Sequence, residues 1–279
     1  MSEHDPKKHR MRLAPARMTR LLGSVALAAL LSLSVAGCKT IGDDTTGSIA
    51  SVPPPHSEAD WRQSLDVWGE RYKQDPADAN VAINYAKALR ATEQRAQAVA
   101  VLEQASMRNP HDMPLLGAYG RALADAGDYN QALSVLGRAH TPDNPDWRIL
   151  NAQGAVLDQL GRHAEAQRHY SAALKIVPDE PSILSNLGLS YALTKNLKLA
   201  EVTLRRAIGQ SNASPKVRQN LALVVGLQGR FAEAEKIAAA ELPPDEATAN
   251  VDYLRTMLAQ QSDWKKPGQR RAPAFDAGT

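Results

Sequence analysis

The chain has 279 residues, of which 43% are hydrophobic, 23% charged and 5% aromatic, and this apolar fraction excludes a wholly disordered protein. The net charge of +3 comes from residues 1–37, which hold six basic and two acidic side chains, whereas residues 38–279 hold 27 basic and 28 acidic ones. Residues 38–279 are nearly neutral, so their charge does not support binding to nucleic acid. A single cysteine excludes an intrachain disulfide and a cysteine-rich metal site.

The first predicted element is an export signal. After a basic stretch, residues 21–36 run for sixteen positions without a charged side chain. A membrane-spanning helix needs about twenty apolar residues, so this run is typical of the apolar core of a secretory signal. We therefore expect residues 1–37 to be a signal peptide, with Met11 and Met18 as alternative starts in its long charged leader.

The leader ends at the only cysteine of the chain. Val35, Ala36 and Gly37 precede Cys38, and these four positions resemble the lipobox of bacterial lipoproteins. The resemblance implies cleavage before Cys38 and acylation of its thiol, and Lys39 at the next position resembles an outer-membrane sorting pattern. Several acyl chains hold a protein firmly, at about 0.8 kcal/mol per buried CH₂. We expect an exported, lipid-anchored protein facing the periplasm at the outer membrane; an ordinary cleaved signal and an uncleaved anchor are the alternatives.

A linker and a leading helix follow. Residues 38–56 contain Gly, Asp, Thr, Ser and three consecutive prolines but few apolar side chains, so we expect a disordered linker. Residues 57–76 are predicted to form an N-terminal capping half-repeat helix, because apolar residues recur there at helical spacing: Trp61, Leu65, Trp68 and Tyr72.

The body, residues 77–244, repeats every 34 residues. An alanine recurs at this period without an insertion: Ala98, Ala132, Ala166, Ala200 and Ala234. Twelve residues before each of them lies another small residue: Ala86, Gly120, Gly154, Gly188 and Ala222. Proline near the repeat ends and glycine between the two halves of a repeat mark the expected helix boundaries.

This period resembles the tetratricopeptide repeat, a helix–turn–helix unit of 34 residues. The resemblance implies an all-α fold, a right-handed α-α superhelix in the form of a tetratricopeptide-repeat solenoid, with about five repeats plus flanking helices. Small residues let the two helices of a repeat approach closely. An end repeat cannot bury both of its faces, so residues 245–262 are predicted to form a C-terminal capping helix, followed by a disordered tail over residues 263–279.

The sequence contains no recognisable catalytic motif: no glycine-rich nucleotide loop and no HExxH. His163, Glu165 and His169 suggest a metal site, but two histidines six residues apart on one helix point in different directions. We interpret them as solvated side chains. We therefore expect no catalytic residue, metal, cofactor or small-molecule substrate, and no enzyme activity.

Polar residues on the first helices of the repeats form a candidate partner-binding groove: Asn84, Lys87, Arg90, Arg121, Asn151, Asp158, Asn186, Gln219 and Asn220. Tetratricopeptide grooves often use asparagine to hold a peptide backbone; a local hydrogen bond between helices is the structural alternative. The mixed charges of the nine do not form the basic clamp that grips C-terminal carboxylates in some chaperone adaptors.

Four segments carry a more specific resemblance: residues 186–193, 218–223, 229–235 and 250–255. They are similar to the TadD family, the tetratricopeptide-repeat lipoproteins of tight-adherence (Flp) pilus systems. The resemblance implies a scaffold whose partners are the outer-membrane pilus secretin or other Flp assembly components. Two other interpretations stay open: an adaptor for peptidoglycan enzymes, and a subunit that assists outer-membrane protein assembly.

Overall fold

The computed structural model describes residues 57–264, so the predictions for the leader, for Cys38, for the linker and for the tail beyond Trp264 lie outside the described residues. Residues 57–264 form twelve helices and no strand, apart from an isolated β-bridge between Thr141 and Asn144. The bounds are α1 Glu58–Gln74, α2 Ala79–Ala91, α3 Arg95–Arg108, α4 Met113–Ala126, α5 Tyr129–Leu136, α6 Trp147–Gln159, α7 His163–Ile176, α8 Pro181–Leu193, α9 Leu197–Ile208, α10 Pro215–Leu227, α11 Phe231–Ala238 and α12 Pro244–Trp264.

Side chains at the helix starts explain many of these boundaries. Ser57 and Asp60 form a reciprocal capping box at the start of α1. Asp78, Asp112 and Asp146 accept backbone N–H groups at the starts of α2, α4 and α6. Such caps satisfy N–H groups that have no partner within the helix, which fixes where each helix begins.

The turn between the two helices of a repeat has the same backbone conformation whether its residue is glycine or not. Gly127, Gly161 and Gly229 adopt φ angles of 89°, 74° and 82°, in the left-handed region. Glu93 and Lys195 occupy the equivalent turns of the first and fourth repeats with φ of 63° and 64°. Non-glycine residues pay a steric cost there, and packing of the flanking helices holds the turn nonetheless.

The small residues of the 34-residue period lie where the two helices of a repeat meet. All five alanines of the column from Ala98 to Ala234 are fully buried. A Cβ atom added to Gly120 of α4 would lie 2.5 Å from Cγ of Leu136 on α5. One added to Gly154 of α6 would lie 2.5 Å from Cε1 of Tyr170 on α7. The predicted close approach of paired helices, and with it the predicted fold class, is confirmed.

The packing of successive repeats defines an inner face. The first helices of the repeats (α2, α4, α6, α8 and α10) contact one another in sequence, whereas the second helices (α3, α5, α7, α9 and α11) contact mainly first helices. Elements that crowd together lie on the inside of a curve, so the first helices line the concave side of the solenoid. Residues on this side are called the inner face below.

Helices α1 and α12 cover the two ends. Trp61 of α1 is buried, and the ring of Tyr72 packs on Tyr85 of the first repeat with centroids 5.4 Å apart. At the other end Val251 and Leu254 of α12 are buried, and Leu254 fills the space beside Gly226. The closing helix begins at Pro244 and continues to Trp264, against the predicted 245–262. None of the helices within residues 57–264 combines the length and apolarity needed to cross a bilayer.

Candidate partner-binding face

Asparagine side chains join the first helices of repeats 3, 4 and 5 along the inner face. Asn186 Nδ2 donates to Asn151 Oδ1 over 3.0 Å, and Asn220 Nδ2 donates to Ser185 Oγ over 2.9 Å. Both bonds join residues 35 positions apart, so they occupy equivalent places in successive repeats. Asn186 and Asn220 therefore form the local hydrogen bond between helices that was the structural alternative to binding a peptide backbone. An amide carries two N–H donors and a carbonyl acceptor, so each asparagine keeps hydrogen-bonding groups that these bonds do not use.

The inner face of the first two repeats has a different character. Arg90 Nε of α2 lies 2.5 Å from Asp125 Oδ2 of α4, with side chains 23% and 32% exposed. Within residues 57–264, Asn84 donates to the carbonyl of Asn80 in its own helix rather than to another repeat. The predicted groove is thus divided into an ion-paired part in repeats 1 and 2 and an amide part in repeats 3 to 5. Lys87 and Arg121 lie half-buried in the first part, and Gln219 lies exposed in the second.

Asp158 was predicted in the groove, but its carboxylate lies at the centre of a polar cluster inside the third repeat. Oδ1 accepts from Ser190 Oγ at 2.9 Å and lies 2.8 Å from His163 Nδ1, and Oδ2 accepts from Tyr170 Oη at 3.0 Å. The side chain is 9% exposed. Burial raises the pKa of the Asp158 carboxyl, although hydrogen bonds from His163, Ser190 and Tyr170 act in the opposite direction.

This cluster also corrects the interpretation of His163 as a solvated residue. Its side chain is 27% exposed and contacts the Asp158 carboxylate. The cluster joins α6 to α7 of the same repeat and to α8 of the next one, so it positions helices. No three His, Cys, Asp or Glu side chains among residues 57–264 are arranged to hold a metal ion.

A second cluster, on Glu201, joins repeats 4 and 5 and escaped the sequence analysis. The Glu201 carboxylate accepts from Arg230 at 2.7 Å, from Arg205 at 2.8 Å and from Gln228 at 2.8 Å. Glu233 also contacts both arginines. The hydrogen bond from Arg230 is the largest of the effects that lower the pKa of Glu201 to about 2. The sequence gives one sign of this cluster, which is the position of Arg230 directly after the turn glycine Gly229.

We expect Glu201→Gln to remove an acid-sensitive part of the stability. The folded-state pKa of Glu201 is below its value of 4.5 in the unfolded chain, so its contribution is present above pH 4.5 and is lost as pH falls toward 2. The arginine partners are partly exposed, so we expect the variant to lose about 1–2 kcal/mol of unfolding free energy at pH 7 and much less at pH 2.5. Urea unfolding at the two pH values measures this. Asp66→Asn, at an exposed position of α1, is the matched control and should change neither value; equal losses for Glu201→Gln at both pH values would contradict the assignment.

Comparison with known proteins supports the tetratricopeptide-repeat fold. The tetratricopeptide-repeat pattern matches residues 89–154, and a second pattern described as TPR repeat matches residues 154–195. The fold is similar to that of PilW, a widely conserved type IV pilus biogenesis factor, with a TM-score of 0.60, 17% sequence identity and coverage of 69% of this chain and 91% of that one. It is also similar to TTC0263, a thermophilic TPR protein of Thermus thermophilus, with a TM-score of 0.55, 22% identity and coverage of 66% and 99%.

A larger protein shares the architecture. The structure of the Cut9–Hcn1 hetero-tetramer of the APC/C is similar, with a TM-score of 0.59 and 15% sequence identity. The match covers 74% of this chain and 40% of the chain in that structure. A search of curated proteins found no match to the chain. At these identities the solved structures establish the fold and nothing finer. Tetratricopeptide-repeat patterns thus match residues 89–195, and residues 57–264 form an all-α tetratricopeptide-repeat solenoid.

Proposed function

We propose that this protein is a non-enzymatic, lipid-anchored scaffold that assembles or positions the Flp (tight-adherence) pilus apparatus at its outer-membrane secretin. The observation that carries the proposal is the row of asparagines on the inner face of a tetratricopeptide-repeat solenoid, a fold whose general role is binding other proteins. Asn151, Asn186 and Asn220 present amide groups that match the donors and acceptors of a peptide backbone.

The hydrogen bonds that these amides form favour binding because they hold the side chains in place beforehand. A flexible side chain that becomes fixed on binding costs about 0.5–1.5 kcal/mol. Asn186 and Asn220 are already fixed by Asn151 and Ser185, so a partner segment meets an ordered surface. We infer that the partner contributes an extended or helical segment that lies along repeats 3 to 5.

Membrane attachment gives this surface its place of action. The lipobox resemblance at Cys38 supports an acyl anchor, and a coil of about twenty residues, as the sequence predicts for residues 38–56, would have a reach on the order of 25 Å. Confinement to one membrane leaflet raises the effective concentration of partner sites, so modest affinity suffices. The pilus assignment is supported by the resemblance to TadD lipoproteins and by the fold shared with PilW, itself a pilus biogenesis factor.

The test is a clean deletion strain in which surface Flp pili and heat-resistant secretin multimers are scored together. We expect both to be lost, and to return with the wild-type chain but not with the Asn186→Ala/Asn220→Ala variant. Asn250→Ala, at an exposed position of α12, is the control and should restore both. Normal pili and normal multimers in the deletion strain would refute the proposal and favour the peptidoglycan-enzyme adaptor.

We expect Cys38→Ser to abolish acylation, because the thiol that the lipobox resemblance assigns to lipid is lost. Labelling cells with radioactive palmitate and recovering the protein measures this directly: the wild-type chain should carry label and Cys38→Ser none. Cys38→Ser/Ser48→Cys restores a thiol ten residues further along, outside the lipobox, and should also stay unlabelled. Label on either variant would contradict anchoring through Cys38.

A further inference from the structure

The contact between repeats 2 and 3 is built from different side chains than the other contacts between repeats. Two positions 13 residues apart are compared at each contact: the first lies at or just beyond the end of α1 or of a second helix, and the second lies in the next first helix. Three contacts have aromatic or aliphatic residues at both positions: Tyr72 and Tyr85, whose rings pack together, and Leu174 with Leu187 and Ile208 with Leu221, each pair within one apolar cluster. A fourth contact has Ser106 and Tyr119. Between repeats 2 and 3 the same two positions hold His140 and Gln153.

Three buried polar atoms at this contact lack a hydrogen-bond partner among the described residues: Nδ1 of His140, Oε1 of Gln153 and Nδ1 of His169. Gln153 is 5% exposed. His169 lies on α7, close enough to His140 for a charge on His140 to act on it. Burying a polar group without a hydrogen-bond partner is unfavourable, so three such atoms weaken this contact. The set His140, Gln153 and His169 is called the polar joint below.

The apolar clusters divide at α6, as they also do at α8. Ile149 and Val156 of α6 belong to the apolar cluster of repeats 1 and 2, whereas Leu150 and Leu157 of the same helix belong to the cluster of repeats 3 and 4. Helix α5 has eight residues and ends at Leu136, and α6 begins only at Trp147. Helix α6 therefore shares its apolar side chains between two cores, and a long non-helical connection precedes it.

Charges around His169 make the joint sensitive to protons. His140 faces it from the connection before α6, and Glu165, Arg168 and Arg162 lie near it on or beside its own helix. Helix α8, on the other side, carries no charged side chain, and the Asp158 carboxylate of α6 contacts His163. Burial first, and then His140, lower the pKa of His169 below 6.5, while Glu165 acts in the opposite direction. The folded joint therefore binds fewer protons than the unfolded chain, and its stability is present above about pH 6.5 and is lost as pH falls.

We propose that the polar joint is a pH-sensitive hinge, at which protonation of His169 in mild acid loosens the contact between repeats 2 and 3. A charge on this half-buried ring, whose Nδ1 atom is buried without a partner, draws water into the contact. Opening separates the ion-paired part of the inner face from the amide part, so a partner that spans both parts is gripped at neutral pH and released in acid. The hinge depends on no particular partner and is tested without one.

Hydrogen–deuterium exchange of the purified full chain in detergent tests this hinge at pH 7.5 and pH 5.5, with rates corrected for the intrinsic pH dependence of exchange. We expect protection of residues 137–173 to fall about tenfold in acid. Peptides from repeats 1 and 5 are internal controls and should change less than about twofold. An equal change along the whole chain would overturn the proposal.

Two variants separate the hinge from general acid sensitivity. His140→Leu/Gln153→Leu copies the Leu174–Leu187 pair, and His169→Gln keeps a neutral polar side chain without rebuilding the core. We expect either to remove most of the acid response of residues 137–173, and the second serves if the first fails to fold. His111→Gln, at an exposed histidine, should keep the full response. A response that survives in a folded variant of the joint, or disappears in His111→Gln, would refute the hinge.

Discussion

Ala166→Arg is expected to lower the free energy of unfolding by about 4–5 kcal/mol, enough to unfold the third repeat, because overpacking and an unpaired buried charge add together. Ala166 has no exposed surface and lies on α7 in the column of small residues. Because Ala166 is fully buried, we expect the longer side chain to push the packed helices apart. Urea unfolding followed by circular dichroism at 222 nm measures the loss.

Ala164→Arg is the matched control, since it places the same side chain on the same helix two residues earlier at an exposed position. We expect it to change the free energy of unfolding by less than about 0.5 kcal/mol. The pair of variants thus tests the register of the repeat rather than the tolerance of α7 to arginine. Wild-type stability for Ala166→Arg, or equal losses for both variants, would show that the register is wrong.

The register could be predicted from the sequence because every repeat solves the same packing problem. Each pair of helices needs a small residue at the point of contact, and five copies in phase make this visible against the high alanine content of the chain. The same regularity predicted the two capping helices, since each end would otherwise expose an apolar face. Features that depend on one residue type in one column were therefore predictable.

Features that depend on partners from several helices were not. The column that holds Asp158 contains Arg90, Ala124, Ala192 and Gly226 in the other repeats, so it gives no sign that this carboxylate turns inward. Its partners lie 5, 12 and 32 residues away, on two different helices. The Glu201 cluster likewise joins two separate segments, residues 201–205 and 228–233. The left-handed conformation of Glu93 and Lys195 could not be predicted from the sequence for a related reason, since tertiary packing holds it.

We expect Asp158→Ala to lower the free energy of unfolding by about 2–3 kcal/mol at pH 7, because it leaves the Tyr170 hydroxyl, the Ser190 hydroxyl and the His163 imidazole without their common acceptor. Ser190 has no exposed surface, so its hydroxyl has no route to bulk water. Asp125→Ala is the matched control: that carboxylate also lies on a first helix but forms one partly exposed ion pair, so we expect a loss under about 1 kcal/mol.

The pH dependence of the Asp158→Ala effect carries a definite sign. Burial raises the folded-state pKa of Asp158 above 3.8, so the folded chain holds this proton more tightly than the unfolded chain. The contribution of Asp158 is therefore largest in acid and declines as pH rises through the folded-state pKa. Urea unfolding should give a larger loss for Asp158→Ala at pH 3.5 than at pH 7, whereas Asp158→Asn, which keeps a neutral side chain of the same shape, should lose less than Asp158→Ala at both. A loss no greater than that of Asp125→Ala, or one that grows as pH rises, would mean that the polar cluster does not hold α6, α7 and α8 together as the geometry indicates.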